Sequence, residues 1–311
     1  MDKRAAAKPS PGSRRSTLEV NALTPVLALG AAVAKLLGGL IWLRHRYQAT
    51  TDIAYADGEQ HRLDVYRPQS AAGAPVIVFF YGGRWQYGSK DAYGFLAATL
   101  VARGYVVVVP DYRLYPEVRF PDFLVDAASA LRWTRDNIAA FDGDAGRLFV
   151  MGHSAGAYIA AMLALDGTWL REGGLDPDRD IAGLIGVSGP YDFMPVRDPV
   201  LRIIFGGENR PVTQPISYAE GRKPPALFLT GAADNKVSPG NSVRLAAKLR
   251  KSGNDATERL YPRLGHLTIM AGLAPLAASL LSLMDDLDAF VQRIRPGARS
   301  GASLAAEAPA P

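Results

Sequence analysis

Between Thr50 and Ile294 the chain alternates short, wholly apolar runs with segments of helical period. Pro75–Tyr81 (PVIVFFY) and Tyr105–Pro110 (YVVVVP) are apolar at every position, as parallel strands covered on both faces must be. Asp52–Ala56 and Arg62–Tyr66 read as two opening strands, and Leu148–Met151, Ile181–Val187, Ala226–Leu229 and Thr257–Tyr261 as later ones. Helical spacing predicts helices over Ala92–Arg103, Phe123–Ile138, Ala155–Leu165, Val243–Lys251 and Gly272–Ile294. In the second of these, Leu124, Ala128, Leu131 and Ile138 form one stripe. Strands and helices alternating at this spacing imply an α/β fold: a mostly parallel sheet of about eight strands with helices on both faces. Residues 191–222 lack periodicity and are expected to form a small insertion over the sheet edge.

The pattern changes at both ends. Residues 1–16 are small, polar and basic, with no apolar face to bury, and read as disordered. Leu23–Leu43 is a 21-residue apolar run interrupted by Thr24, Pro25 and Lys35. Its length and basic flanks suit a bilayer span, and Ala32-Val33-Ala34 suits a signal-peptidase site. The charge of Lys35 near its centre argues instead for an apolar helix packed on the domain. The expectation is membrane association or export, with a docked helix in a cytoplasmic protein as the alternative. These boundaries divide the chain into residues 1–49, one α/β domain over 50–295, and a small-residue, Pro-rich tail over 296–311.

Composition narrows the chemistry. Of 311 residues 48% are apolar and 21% charged, enough to build a full core. The absence of cysteine excludes disulfides, thiolate zinc sites, iron–sulfur clusters and a cysteine nucleophile. The net charge of +5 is confined to the first fifty residues, because residues 51–311 carry 27 basic and 28 acidic side chains. A body so balanced offers no basic groove for phosphates, so no nucleic-acid partner is expected. No cluster of ligating side chains calls for a metal or a cofactor, and oligomeric state is not legible.

Gly152-His153-Ser154-Ala155-Gly156 fits G-x-S-x-G. It follows the predicted strand Leu148–Met151 and opens the helix Ala155–Leu165, the strand–turn–helix context in which such a serine stands clear of the sheet. A serine hydroxyl is a weak nucleophile without a base. Of four histidines, His45 lies in the N-terminal segment, His61 precedes an early strand, and His153 is expected to point away from its neighbour's hydroxyl. His266, after the strand Thr257–Tyr261, is the candidate base. Asp234, after the strand Ala226–Leu229, is the candidate partner of that base, since the chain order Ser154, Asp234, His266 suits this kind of elbow. Asp192 and Asp255 compete for that role, but Asp255 precedes its strand and Asp192 comes one strand too early. Gly82 and Gly83 end the strand Pro75–Tyr81, where backbone N–H groups can approach an oxygen without a Cβ in the way; with Ala155 they are candidates for an oxyanion hole. Trp85 and Tyr87 are candidate substrate-binding side chains.

Together these features resemble the α/β-hydrolase superfamily, in the branch of hormone-sensitive-lipase-like carboxylesterases and kynurenine formamidases. The resemblance runs from about Asp52 to Arg293 and rests on Leu63–Pro68, Tyr81–Trp85, Asp111–Glu117, Gly152–Gly156 and Gly231–Val237. It implies that Gly82, Gly83 and Ala155 stabilise an oxyanion and that the Asp111-Tyr112-Arg113 segment braces the surrounding loops. The branch usually has histidine before the two glycines; Tyr81 stands there instead, which leaves the shape of the pocket rim open but not the activity. The implied activity is a serine hydrolase of a small-molecule carboxylic ester, and the small insertion suggests a short or medium acyl group. An amidase or formamidase with the same residues, and a non-catalytic hydrolase-fold protein at a membrane, are the alternatives.

Overall fold

The computed structural model describes residues 47–70, 72–274 and 282–294. Residues 1–16 and 23–43 and the tail from 296 lie outside them, so the expectations placed there have no structural counterpart. Among the described residues no helix is long and apolar enough to cross a membrane.

One eight-stranded sheet organises the domain. Its strands are β1 (Tyr47–Ala54), β2 (Arg62–Pro68), β3 (Ala74–Phe80), β4 (Val106–Pro110), β5 (Gly143–His153), β6 (Gly183–Val187), β7 (Ala226–Gly231) and β8 (Ala256–Tyr261). They lie in the order β1-β2-β4-β3-β5-β6-β7-β8. The pairs β1/β2 and β2/β4 are antiparallel, and every later pair is parallel. β3, β4, β6 and β7 are buried at every position, which is why their sequences carry no polar alternation. β1 starts five residues before the strand expected at Asp52 and is mostly exposed; an irregularity between Thr50 and Ile53 shifts its register.

The main helices are α1 (Gly94–Val101), α2 (Asp122–Asn137), α3 (Ala155–Leu165), α4 (Pro199–Phe205), α5 (Gly240–Lys251) and α6 (Leu283–Arg293). All eleven residues of α3 are buried, and its five alanines, with Gly156, let it lie close against the centre of the sheet. α2 and α5 show the amphipathic pattern of surface helices, burying Leu124, Ala128 and Leu131 on one and Leu245 and Leu249 on the other. Of the helix expected over Gly272–Ile294, residues 272–274 are not helical, 275–281 lie outside the described residues, and Leu283–Arg293 is helical. A single turn, Thr268–Ala271, stops at Gly272, and α6 begins only at Leu283. Gly272 caps the first turn.

The insertion over 191–222 contains α4 and two short 3-10 turns. It joins β6 to β7, two interior strands, so it covers strand ends at the centre of the sheet rather than a sheet edge. Phe205 at the end of α4 anchors it, with ring centroids 4.8 Å from Trp85 and 5.5 Å from Tyr158 of α3. Asp198 starts α4 by accepting from the N–H groups of Val200 and Leu201, and Pro199 supplies the first helical residue.

Candidate active site

The sheet places its chemistry at the carboxyl ends of the central strands. β5 leads directly into Ser154 and α3, and neighbouring β3 leads into Gly82 and Gly83. Ser154 has φ 54° and ψ −119°, a conformation that non-glycine residues avoid and that a tight elbow imposes. The flanking glycines are required by close approach. A Cβ on Gly152 would fall 2.2 Å from the Gly156 carbonyl carbon, and one on Gly156 would fall 1.9 Å from the Phe80 oxygen. Larger residues would push the elbow off both the helix and β3.

Three groups predicted from scattered parts of the chain meet here. His266 Nε2 lies 2.9 Å from Ser154 Oγ, and its Nδ1 lies 2.8 Å from Asp234 Oδ2. Asp234 Oδ1 accepts the backbone N–H groups of Val237 and Lys236, both at 2.9 Å. Burial alone would raise the Asp234 carboxyl pKa, but these N–H groups and His266 hold it below the ordinary range. An ionised Asp234 fixes the imidazole with its proton on Nδ1 and leaves Nε2 free to accept the serine proton. The competing carboxylates are engaged elsewhere. Asp192 pairs with Arg244 at 2.5 Å, and Asp255 pairs with Arg293 at the start of β8. His61 lies against Asp126 at 3.1 Å, and His45 is outside the described residues.

Gly82 backs directly onto the elbow: a Cβ there would fall 3.0 Å from Ser154 Cβ and 2.9 Å from the His153 oxygen. Gly83 has φ +139°, and a Cβ on it would fall 1.7 Å from the Tyr87 oxygen. Arg84 and Trp85 follow with φ near +56° and +59°, so the whole turn is held in a strained form. The N–H of Ala155 belongs to the first turn of α3 and has no intrahelical acceptor. N–H groups so placed can receive the negative oxygen formed when Ser154 attacks a carbonyl.

A cavity of about 490 Å³ opens beside Ser154 and Ala155, walled by Trp85, Phe193 and Leu201 among others. Trp85 lines it while only 3% exposed, because its ring also packs edge-on against Tyr158 and Phe205. Tyr87, expected to line the pocket as well, is 49% exposed and does not line this cavity; its backbone oxygen faces Gly83 instead. Tyr81 does not line this cavity either. It is fully buried, stacks on Tyr112 at 4.7 Å, and donates its hydroxyl to Asp111. The Asp111-Tyr112-Arg113 segment braces the loops, since Tyr112 donates to the Tyr81 oxygen and Arg113 makes a two-pronged pair with buried Asp126.

His153 is the residue whose contacts sequence reasoning missed. It does not face the Ser154 hydroxyl; its Nε2 donates to the backbone oxygen of His266 at 3.0 Å, and the two rings lie 4.9 Å apart. It thus pins the main chain of the histidine that bridges Ser154 and Asp234. Burial first, and then the neighbouring His266, lower its pKa to about 3, so it is neutral at ordinary pH.

A mostly parallel eight-stranded sheet with a serine elbow after its fifth strand defines this chain as an α/β-hydrolase, and its relatives place it among those of the esterase type. Within that class it belongs to the BD-FAE family, whose sequence profile matches residues 63–249. The prolyl oligopeptidase family profile matches residues 206–293. Kynurenine formamidase of Danio rerio is 36% identical over 235 residues, which cover 75% of this chain and 75% of that protein. Isoprenylcysteine alpha-carbonyl methylesterase ICME of Arabidopsis thaliana is 28% identical over 291 residues, covering 85% of this chain and 68% of that one. The solved structure of the thermophilic esterase Est2 from Thermogutta terrifontis superposes with a TM-score of 0.66 at 24% identity, over 81% of this chain and 95% of that one, and shares its fold.

Proposed function

We propose that this chain hydrolyses a small-molecule carboxylic ester through Ser154, His266 and Asp234. The observation that carries the reading is the single imidazole bridging a serine hydroxyl at 2.9 Å and a buried carboxylate at 2.8 Å. His266 Nε2 takes the Ser154 proton as Oγ bonds to the carbonyl carbon, and the carbonyl oxygen gains a negative charge received by N–H groups of Gly82, Gly83 and Ala155. The intermediate collapses with cleavage of the ester C–O bond, and the imidazolium returns its proton to the departing alcohol. Water then attacks the acyl–Ser154 ester with the same base, releasing the acid and the free serine. Asp234 stays ionised throughout and stabilises the imidazolium. The small insertion over residues 191–222 favours short or medium acyl groups.

The likeness to a kynurenine formamidase supports a second reading, in which the same residues cleave an acyl amide. Hydrolysis of 4-nitrophenyl acetate, butyrate and octanoate, beside the matching 4-nitroanilides and a formanilide, separates the two. Ester turnover that falls to background in Ser154→Ala supports the ester reading; turnover of amides alone would replace it. No turnover of either class by the folded chain leaves a hydrolase-fold binding protein. Membrane association or export belongs to the same proposal and rests on the apolar run over residues 23–43.

A further inference from the structure

The cavity beside Ser154 has a charge that the body of the chain lacks. Its wall holds Arg84, Arg197, Lys236 and Arg244 against the one carboxylate of Asp192. Two of these cations already hold carboxylates: Arg244 Nε donates to Asp192 at 2.5 Å, and Arg84 Nη2 donates to Asp198 at 2.7 Å. Arg197, from the insertion, and Lys236, from the loop after β7, have no carboxylate partner among the described residues. Both are therefore free to pair with an anion that enters the cavity. The remaining wall is largely apolar, with Trp85, Phe193 and Leu201 among its side chains. A ligand that satisfies both features has a short apolar body ending in an anion, and a carboxylate matches the groups these guanidiniums already hold.

Resting on the ester-hydrolase reading, we propose that the preferred substrate is an ester bearing a second, free carboxylate on the part that fills this cavity, held by Arg197 and Lys236. The carboxylate binds and does not react; the bond broken is the ester C–O bond at Ser154. Because both cations are exposed, the preference is electrostatic and weakens as salt screens it.

The test compares matched neutral and anionic esters on the full chain. 4-Nitrophenyl hemiglutarate against 4-nitrophenyl pentanoate places the charge on the acyl side, and 3-carboxyphenyl acetate against phenyl acetate places it on the alcohol side. In one pair kcat/KM should favour the charged ester by about tenfold at low salt and by less than about threefold in 0.5 M NaCl. Arg197→Gln combined with Lys236→Gln should reduce that ratio to near one. Lys251→Gln, at the far end of α5, should leave the ratio as it is. Failure to cleave even the neutral esters would overturn the hydrolase reading itself. Cleavage of neutral esters with no charged preference in either pair, or a preference that survives the double substitution, would overturn this inference alone.

Discussion

The buried imidazole of His153 makes this fold acid-sensitive. In the unfolded chain that imidazole titrates near its ordinary value of 6.5, whereas burial and the neighbouring His266 bring it to about 3 in the fold. Between those values the unfolded chain binds a proton that the folded chain refuses. Stability from this group is therefore complete above pH 6.5, falls as the pH drops below it, and levels off below about 3. At ~1.4 kcal/mol per unit, the loss relative to pH 7 is about 2 kcal/mol at pH 5 and about 3 kcal/mol at pH 4. Asp234, whose carboxyl is held low, adds an acid loss of its own only below about pH 4, where the unfolded carboxylate begins to protonate. His153→Gln keeps an N–H donor within reach of the His266 oxygen but removes the titrating group. Urea titrations of parent and variant at pH 7, 6, 5 and 4 separate the contribution, since every other group is common to both. The parent should lose about 2 kcal/mol more than the variant by pH 5. Parallel stability curves over this range would refute a neutral, buried His153.

Other expectations follow from the same contacts. Asp234→Asn should lower kcat by about 10³- to 10⁴-fold through loss of the charge that orients His266, and near-normal turnover would transfer that role to Asp192. Gly83→Ala puts a Cβ 1.7 Å from the Tyr87 oxygen at φ +139°, so its melting temperature should fall by roughly 5 °C or more; an unchanged melting curve would contradict the close approach. Arg113→Met removes the guanidinium from the buried Asp126 carboxylate and leaves the His61 ring beside it, and should cost about 3 kcal/mol in a denaturant titration. A cost below about 0.5 kcal/mol would show that the pair is not structural. For residues 23–43, fractionation of cells expressing the full chain should find it in the membrane or exported and shortened; wholly soluble, unprocessed protein would favour the docked helix.

Much of the fold could be read from β3 and β4, because strands buried on both faces must be apolar at every position. The elbow was equally legible, since the tight turn between β5 and α3 admits only glycine at positions 152 and 156. Pairings at a distance were not. The contact of His153 with the His266 oxygen joins residues 113 apart, and nothing in the local pattern distinguishes it from any other residue of the elbow. Tyr81 could have faced the pocket or the core, and only its stacking with Tyr112 and its bond to Asp111 decide for the core. The expected helix start at Gly272 erred for a similar reason: Gly272 closes the turn Thr268–Ala271 instead of opening a helix, and spacing alone does not separate the two. Ser154, Asp234 and His266 were recoverable because chain order and strand ends restrict which side chains can gather over one elbow.

The central claim is that Ser154 is activated by His266, and covalent trapping tests it without a choice of substrate. The full chain and its Ser154→Ala variant would be treated with a fluorophosphonate and their intact masses measured. One adduct per parent chain, formed faster as pH rises and absent from the folded variant, is the predicted result. A folded parent that takes no adduct, or a variant labelled as readily as the parent, would contradict it.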